Sequence, residues 1–224
     1  MIHFENVTKI YHTRNGSKKV LDGQSFSLRR GMSMAIMGVN GAGKSTLTRM
    51  IAGIENPTSG RITREMTVSW PLGFGGAFQG SLTGADNARF IARIYRRDIQ
   101  DILNFVEEFA ELGPYINMPV KTYSSGMRAR LAFAVSLAVE FECYIVDEIT
   151  SVGDRSFRDR CRTALLERRQ KGTLIMVSHD PGTLRDYCET GAILRNGQLT
   201  FYDDIDHAIE AYDDLFAIPG AAPG

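Results

Sequence analysis

At 224 residues with 43% apolar content, the chain is long enough to bury a full α/β core and stands at the upper end of what one domain holds. Lysine plus arginine (26) balance aspartate plus glutamate (26), so no net field argues for nucleic acid or an acidic membrane surface as a partner. Cys143, Cys161 and Cys188 form no C-x-x-C pair, which argues against a disulfide framework or a thiolate metal site and fits a reducing cytoplasm.

The N-terminus has no basic stretch followed by an apolar one, and the longest apolar stretch, around residues 131–139, is far below the roughly 18 residues a membrane span needs. The expectation is that any work at a membrane requires another chain to do the spanning. Residues 2–7 alternate apolar and polar like a half-buried strand, and 25–28 continue that style after a polar turn containing Asn15, Gly16, Ser17 and Lys18. Residues 32–37 read as a buried strand ending at Gly38, and 44–52 as a helix closed by Gly53.

From Thr83 to Leu112 the pattern turns helical, over 85–95 and 98–109, which predicts a helical sub-lobe over about 83–140. Alternation of strand and helix resumes with 142–147 (strand), 155–170 (helix), 173–178 (strand), a short helix after Pro181, and a hairpin of 191–195 with 198–202 around Asn196-Gly197. The expected architecture is a single α/β domain over residues 1–216, with a mixed central sheet and an N-terminal antiparallel β part. Residues 217–224 have little to bury and are expected to form a flexible tail.

The chemistry is concentrated in four places. Gly38-Val39-Asn40-Gly41-Ala42-Gly43-Lys44-Ser45 fits G-x-x-x-x-G-K-[ST] between a predicted strand and a predicted helix. In that setting the backbone amides of 41–46, Thr46 included, can converge on a β-phosphate, Lys44 reaches the β- and γ-oxygens, and Ser45 ligates Mg²⁺. Cys143-Tyr144-Ile145-Val146-Asp147-Glu148 is an apolar strand ending in two acids, placing Asp147 to hold the metal's water shell and Glu148 to polarise an attacking water. Tyr123-Ser124-Ser125-Gly126-Met127 precedes an amphipathic helix with Leu131, Val135 and Ala138 on one face, so its serines and amides stand at a helix N-terminus. In isolation that pentapeptide is better read as a simple serine N-cap. His179, in Val177-Ser178-His179-Asp180, ends a predicted strand beside the same site.

Taken in this order, the motifs resemble those of the ABC transporter ATPases, which are P-loop NTPases with an ABC-type nucleotide-binding domain. Ser124 and Gly126 match the family's L-S-G-G-Q signature, while Tyr123, Ser125 and Met127 depart from it. Ser151-Val152-Gly153-Asp154 resembles the D-loop, contributing Ser151 and Asp154. His179 resembles the switch histidine that contacts the γ-phosphate, and Tyr11 the aromatic that stacks on adenine. The segment from Gly73 to Gly84 occupies the place of the Q-loop. Its glutamine is Gln79, a candidate metal contact, whereas counting back at the family's usual spacing lands near Phe74.

The resemblance implies ATP and Mg²⁺ as cofactors. It also implies a homodimer, or a second ATPase chain, in which Ser124, Ser125, Gly126 and Met127 act on the partner subunit's ATP. The short signature, the glycine-rich loop and the overall length are most similar to the ATPase subunits of bacterial capsular polysaccharide exporters. That implies an integral permease, a larger envelope-spanning export complex, no nucleic acid, and a peripheral location on the cytoplasmic face of the inner membrane. The O-antigen and teichoic-acid exporters look similar, though some carry an added carbohydrate-binding domain for which this chain has no room. Lipid exporters and soluble ABC ATPases are the other readings.

Overall fold

Strands covered on both faces organise the chain. The computed structural model describes residues 1–13, 16–72, 78–147 and 154–217, which fall into two compact units. The first comprises Met1–Pro71, Phe141–Glu148 and Arg168–Gly224, the second Leu72–Glu140 and Ile149–Glu167.

In the first unit, β1 (Ile2–Thr13), β2 (Gly16–Leu28) and β4 (Ser59–Arg64) form an antiparallel sheet in the order β2-β1-β4. A six-stranded sheet is ordered β5-β6-β7-β3-β8-β9, built from β3 (Ser33–Met37), β5 (Val68–Leu72), β6 (Cys143–Asp147), β7 (Thr173–Val177), β8 (Thr190–Arg195) and β9 (Gln198–Tyr202). Here β6, β7, β3 and β8 run parallel and β9 returns antiparallel from β8, so the sheet is mixed, as the sequence predicts. Its central strands are buried on both faces, the condition parallel strands require.

Alternate residues of those strands show which face is which. Met34, Ile36, Cys143, Ile145, Ile175 and Val177 share one apolar cluster with Leu47, Met50 and Ile51 of α1 (Lys44–Ile51) and with Ile2, Phe4 and Leu28 of the antiparallel sheet. Residues between them, such as Ala35, Tyr144 and Met176, are buried on the opposite face. The helix after the glycine loop thus joins both sheets in one core, which fixes where the loop stands.

The antiparallel strands run further than their sequence suggests. β2 begins at Gly16, in the predicted polar turn, because its exposed residues 16–19 still pair with β1. β4, β5 and α7 (Ile205–Ala217) add to the elements expected from the sequence. β5 contains Pro71, which a sheet tolerates at an outer strand, and β5 is the outer strand of its sheet. The remaining helices of this unit are α6 (Pro181–Tyr187) and the last residues of α5 (Arg155–Lys171).

The second unit is helical: α2 (Gly84–Ile94), α3 (Ile99–Ala110), α4 (Ser125–Ala138) and most of α5. Thr83 caps α2 by accepting from Asp86 N–H at 3.0 Å, and Asp98 caps α3 by accepting from the amides of Gln100 and Asp101. Phe109, Phe133 and Phe157 hold α3, α4 and α5 together through stacked and edge contacts of 5.7–6.4 Å. α4 is not two-faced as expected: every residue from Leu131 to Leu137 is buried, so that half of the helix is covered all round.

Candidate functional site

Three strand ends converge on a cavity of about 380 Å³, within the usual size of small-molecule sites. β3 stops at Met37 and the chain turns through residues 38–43 before α1 begins at Lys44; β6 ends at Asp147, and β7 ends just ahead of Ser178 and His179. Asp147 is in parallel register with Val177, and β7 borders β3, so the three carboxyl ends are neighbours. Open α/β sheets bind their ligands at such a point.

The loop and α1 line the cavity with Asn40, Gly41, Gly43, Lys44, Ser45 and Thr46. Gly43 has a left-handed backbone (φ 110°), and a Cβ there would stand 2.0 Å from Val20 Cγ1 on β2. Only glycine fits so close a passage. Lys44 is 8% exposed, and its Nζ donates to the carbonyls of Gly38 at 2.6 Å and Val39 at 3.2 Å, which folds the ammonium into the loop at the cavity wall.

Within the loop Ala42 N–H donates to Val39 O at 3.0 Å, and the loop's share of the lining comes from Asn40, Gly41 and Gly43 rather than from Gly38 or Ala42. The first turn of α1, residues 44–46, supplies amides of the kind a helix start leaves without intrahelical partners, at the positive end of the helix dipole. With Lys18 and Lys44 on the wall, the cavity suits an anion.

Tyr11 reaches the same cavity from β1, opposite Lys18 in register. Its hydroxyl donates to Glu55 Oε1 and meets Thr46 Oγ1 at 3.3 Å, and Lys9 Nζ lies 5.0 Å from its ring centroid. Glu55 also takes Lys9 at 2.8 Å and Arg49 at 3.0 Å. Burial pushes the Glu55 carboxyl up, but the hydrogen bonds from Lys9, Tyr11 and Arg49 outweigh it and hold the group at about 2.

Ser45 and Asp147, both oxygen donors, face the same cavity. Among the described residues no group of three or more His, Cys, Asp or Glu could hold a metal by itself. Two protein oxygens completed by phosphate and water is the donor set Mg²⁺ takes, so these residues fit that ion.

The sequence profile of the family described as ABC transporter matches residues 21–151, the stretch that carries the glycine loop and the acidic strand. The chain belongs to the ABC transporter family. It is 53% identical over 215 residues to the capsule polysaccharide export ATP-binding protein CtrD of Neisseria meningitidis serogroup B, covering 96% of this chain and all of that one. It is 51% identical over 214 residues to the ATP-binding protein BexA of Haemophilus influenzae, covering 96% and 99%. Among solved structures, a dimeric ATP-binding cassette bound to ADP and Pi superposes with a TM-score of 0.76 at 21% identity, over 89% of this chain and 98% of that one, which shows the shared fold.

The other positions expected from ABC transporter motifs are placed as follows. Ser124 Oγ accepts from Met127 N–H at 3.2 Å, capping α4, and Ser124 and Ser125 are both exposed. Asp154 accepts from Phe157 N–H at 2.9 Å and pairs with Arg130 at 2.6 Å, and that amide hydrogen bond and then Arg130 hold its carboxyl below the usual range. Gln79 is exposed; its Nε2 donates to Ser81 Oγ at 3.2 Å, and its backbone is held by Asn87 on α2. Glu148 and Ser151, like residues 73–77 of the glycine-rich segment, lie outside the described residues.

Three cavity residues escaped the sequence reading: Lys18, Val20 and Val177. Lys18 belongs to the part of β2 read as a turn, and Val20 lies two residues further along the same strand. The pairing of Lys18 with Tyr11 is a property of strand register that local polarity does not reveal.

Proposed function

We propose that this chain is the ATP-hydrolysing subunit that powers export of a capsular polysaccharide through a separate permease in the bacterial inner membrane. The observation that carries the ATPase part is the meeting of Lys44, Ser45, Asp147 and His179 on one cavity at the ends of β3, β6 and β7. The export part is supported by relatives that match 96% of the chain at 53% and 51% identity, the first of them named for capsule polysaccharide export.

The first-turn amides of α1 and Lys44 bind the β- and γ-phosphates, and Tyr11 offers its ring to the adenine. Ser45 and Asp147 hold Mg²⁺, with Gln79 a further candidate ligand; when bound, the ion neutralises charge on the phosphate oxygens. Glu148 follows Asp147 in the chain and orients the attacking water as general base, while His179 hydrogen-bonds the γ-phosphate. Ser124, Ser125, Gly126 and Met127 stand at a helix start and complete the partner subunit's ATP site in a homodimer, with Ser151 and Asp154 forming the D-loop. Closure around two ATP molecules and release on hydrolysis drive the permease from the cytoplasmic face, within a larger envelope-spanning complex.

The test is a detergent pull-down of the chain from native membranes, with the bound integral protein identified, and a capsule stain of cells carrying Glu148→Gln. Recovery of a polytopic partner and loss of surface polysaccharide are expected. A chain that captures no integral protein, in cells that stay fully encapsulated, would end this reading.

A further inference from the structure

We propose that Glu55 is a positioning residue for nucleotide recognition: by clamping the Tyr11 hydroxyl it sets the spacing between the base-stacking ring and the phosphate-binding turn of α1. The inference rests on reading the cavity as an ATP site.

A tyrosine on a half-exposed strand would swing about its side-chain torsions unless its far end were tied down. Here the Tyr11 hydroxyl is held by Glu55, which is itself fixed from two sides, by Lys9 Nζ at 2.8 Å and Arg49 Nε at 3.0 Å. Arg49 belongs to α1, and its Nη2 also reaches Thr46 Oγ1 at 3.3 Å, one turn back along the helix. Thr46 in turn meets the Tyr11 hydroxyl at 3.3 Å. The circuit therefore ties a ring on β1 to the helix whose first turn faces the phosphates.

Lys9 Nζ lies over one face of the ring, 5.0 Å from its centroid, and so adds a second hold on the ring beside the clamp on its hydroxyl. A carboxylate suits the hub because it accepts from Lys9, Tyr11 and Arg49 together. A glutamine has one acceptor oxygen and would turn an amide N–H₂ toward a cation. Because the ribose gives base and triphosphate a fixed reach, a misplaced ring weakens the whole nucleotide and spares the triphosphate alone.

Calorimetry on the purified full chain with ATP and with inorganic tripolyphosphate tests this. Glu55→Gln is expected to weaken ATP about three- to tenfold, the worth of one hydrogen bond, and to leave tripolyphosphate within about twofold. In steady-state turnover the same variant should raise KM for ATP while kcat stays within about twofold. Tyr11→Phe keeps the ring and both Glu55 ion pairs, so it carries the test even if Glu55→Gln folds poorly. It should cost ATP affinity by a similar factor, and adding Glu55→Gln to it should cost little more. Equal weakening of both ligands, additive losses, or an unaltered ATP affinity in Glu55→Gln would overturn the proposal. A parent chain that binds no ATP would overturn the ATP-site reading itself, an outcome distinct from a parent that binds ATP and a Glu55→Gln variant that binds it equally.

Discussion

Lys44 Nζ lies 2.6 Å from the carbonyl oxygen of Gly38, the residue that opens its own loop. The ammonium is thereby held at the cavity wall by the backbone it serves, and it reaches a phosphate with little torsional freedom to lose. Lys44→Ala removes a charge-assisted contact and an anchor of the loop together. ATP affinity measured by calorimetry is expected to fall at least about tenfold. An unchanged affinity would count against the phosphate loop.

Gly43→Ala must place a methyl group where Val20 Cγ1 leaves 2.0 Å, on a backbone with φ of 110°. Left-handed strain and overpacking together should cost about 2–4 kcal/mol. A urea titration of the variant against the parent measures this, and an undiminished midpoint would mean that the loop passes β2 at a greater distance.

Glu148→Gln keeps the size of the side chain next to Asp147 and removes its basicity. Loss of a general base predicts a fall in turnover of about a hundredfold or more with ATP binding retained. Gel filtration with ATP should then show an accumulated dimer. Hydrolysis at the parental rate would take Glu148 out of the reaction.

The Glu55 carboxyl is lowered from its ordinary value of 4.5 to about 2 in the folded chain. A depressed acid adds stability that is complete above its unfolded value and disappears as pH falls through its folded one. Glu55→Gln should therefore cost about 1–2 kcal/mol at pH 7 after solvent screening, less by pH 3, and least at pH 2, where the folded-state carboxyl is half protonated. Urea midpoints of the parent and the variant across that range check the sign, and a difference that grows toward acid would refute it.

Much of the site is legible in the sequence because its residues follow runs with a plain physical signature. Met34 to Met37 and Tyr144 to Val146 are buried on both faces, and each run ends where a glycine loop or an acid begins. Register and cross-strand neighbours are another matter. Nothing in Ser17-Lys18-Lys19 distinguishes an exposed strand from a turn, and Lys18 stands at the cavity through its pairing with Tyr11 on β1. α7 does carry a signal, Ile205, Ala208 and Ile209 at helical spacing and all buried. The Glu55 circuit joins residues up to 46 positions apart, from Lys9 to Glu55, and no local pattern announces it.

The passage of the glycine loop against β2 limits which side chains either can hold. Gly43 and Val20 share a single volume: a larger residue at 43 is admissible only with a smaller one at 20, and even then the backbone sign at 43 disfavours it. A strand with no motif of its own thus bounds what the glycine loop beside it can carry.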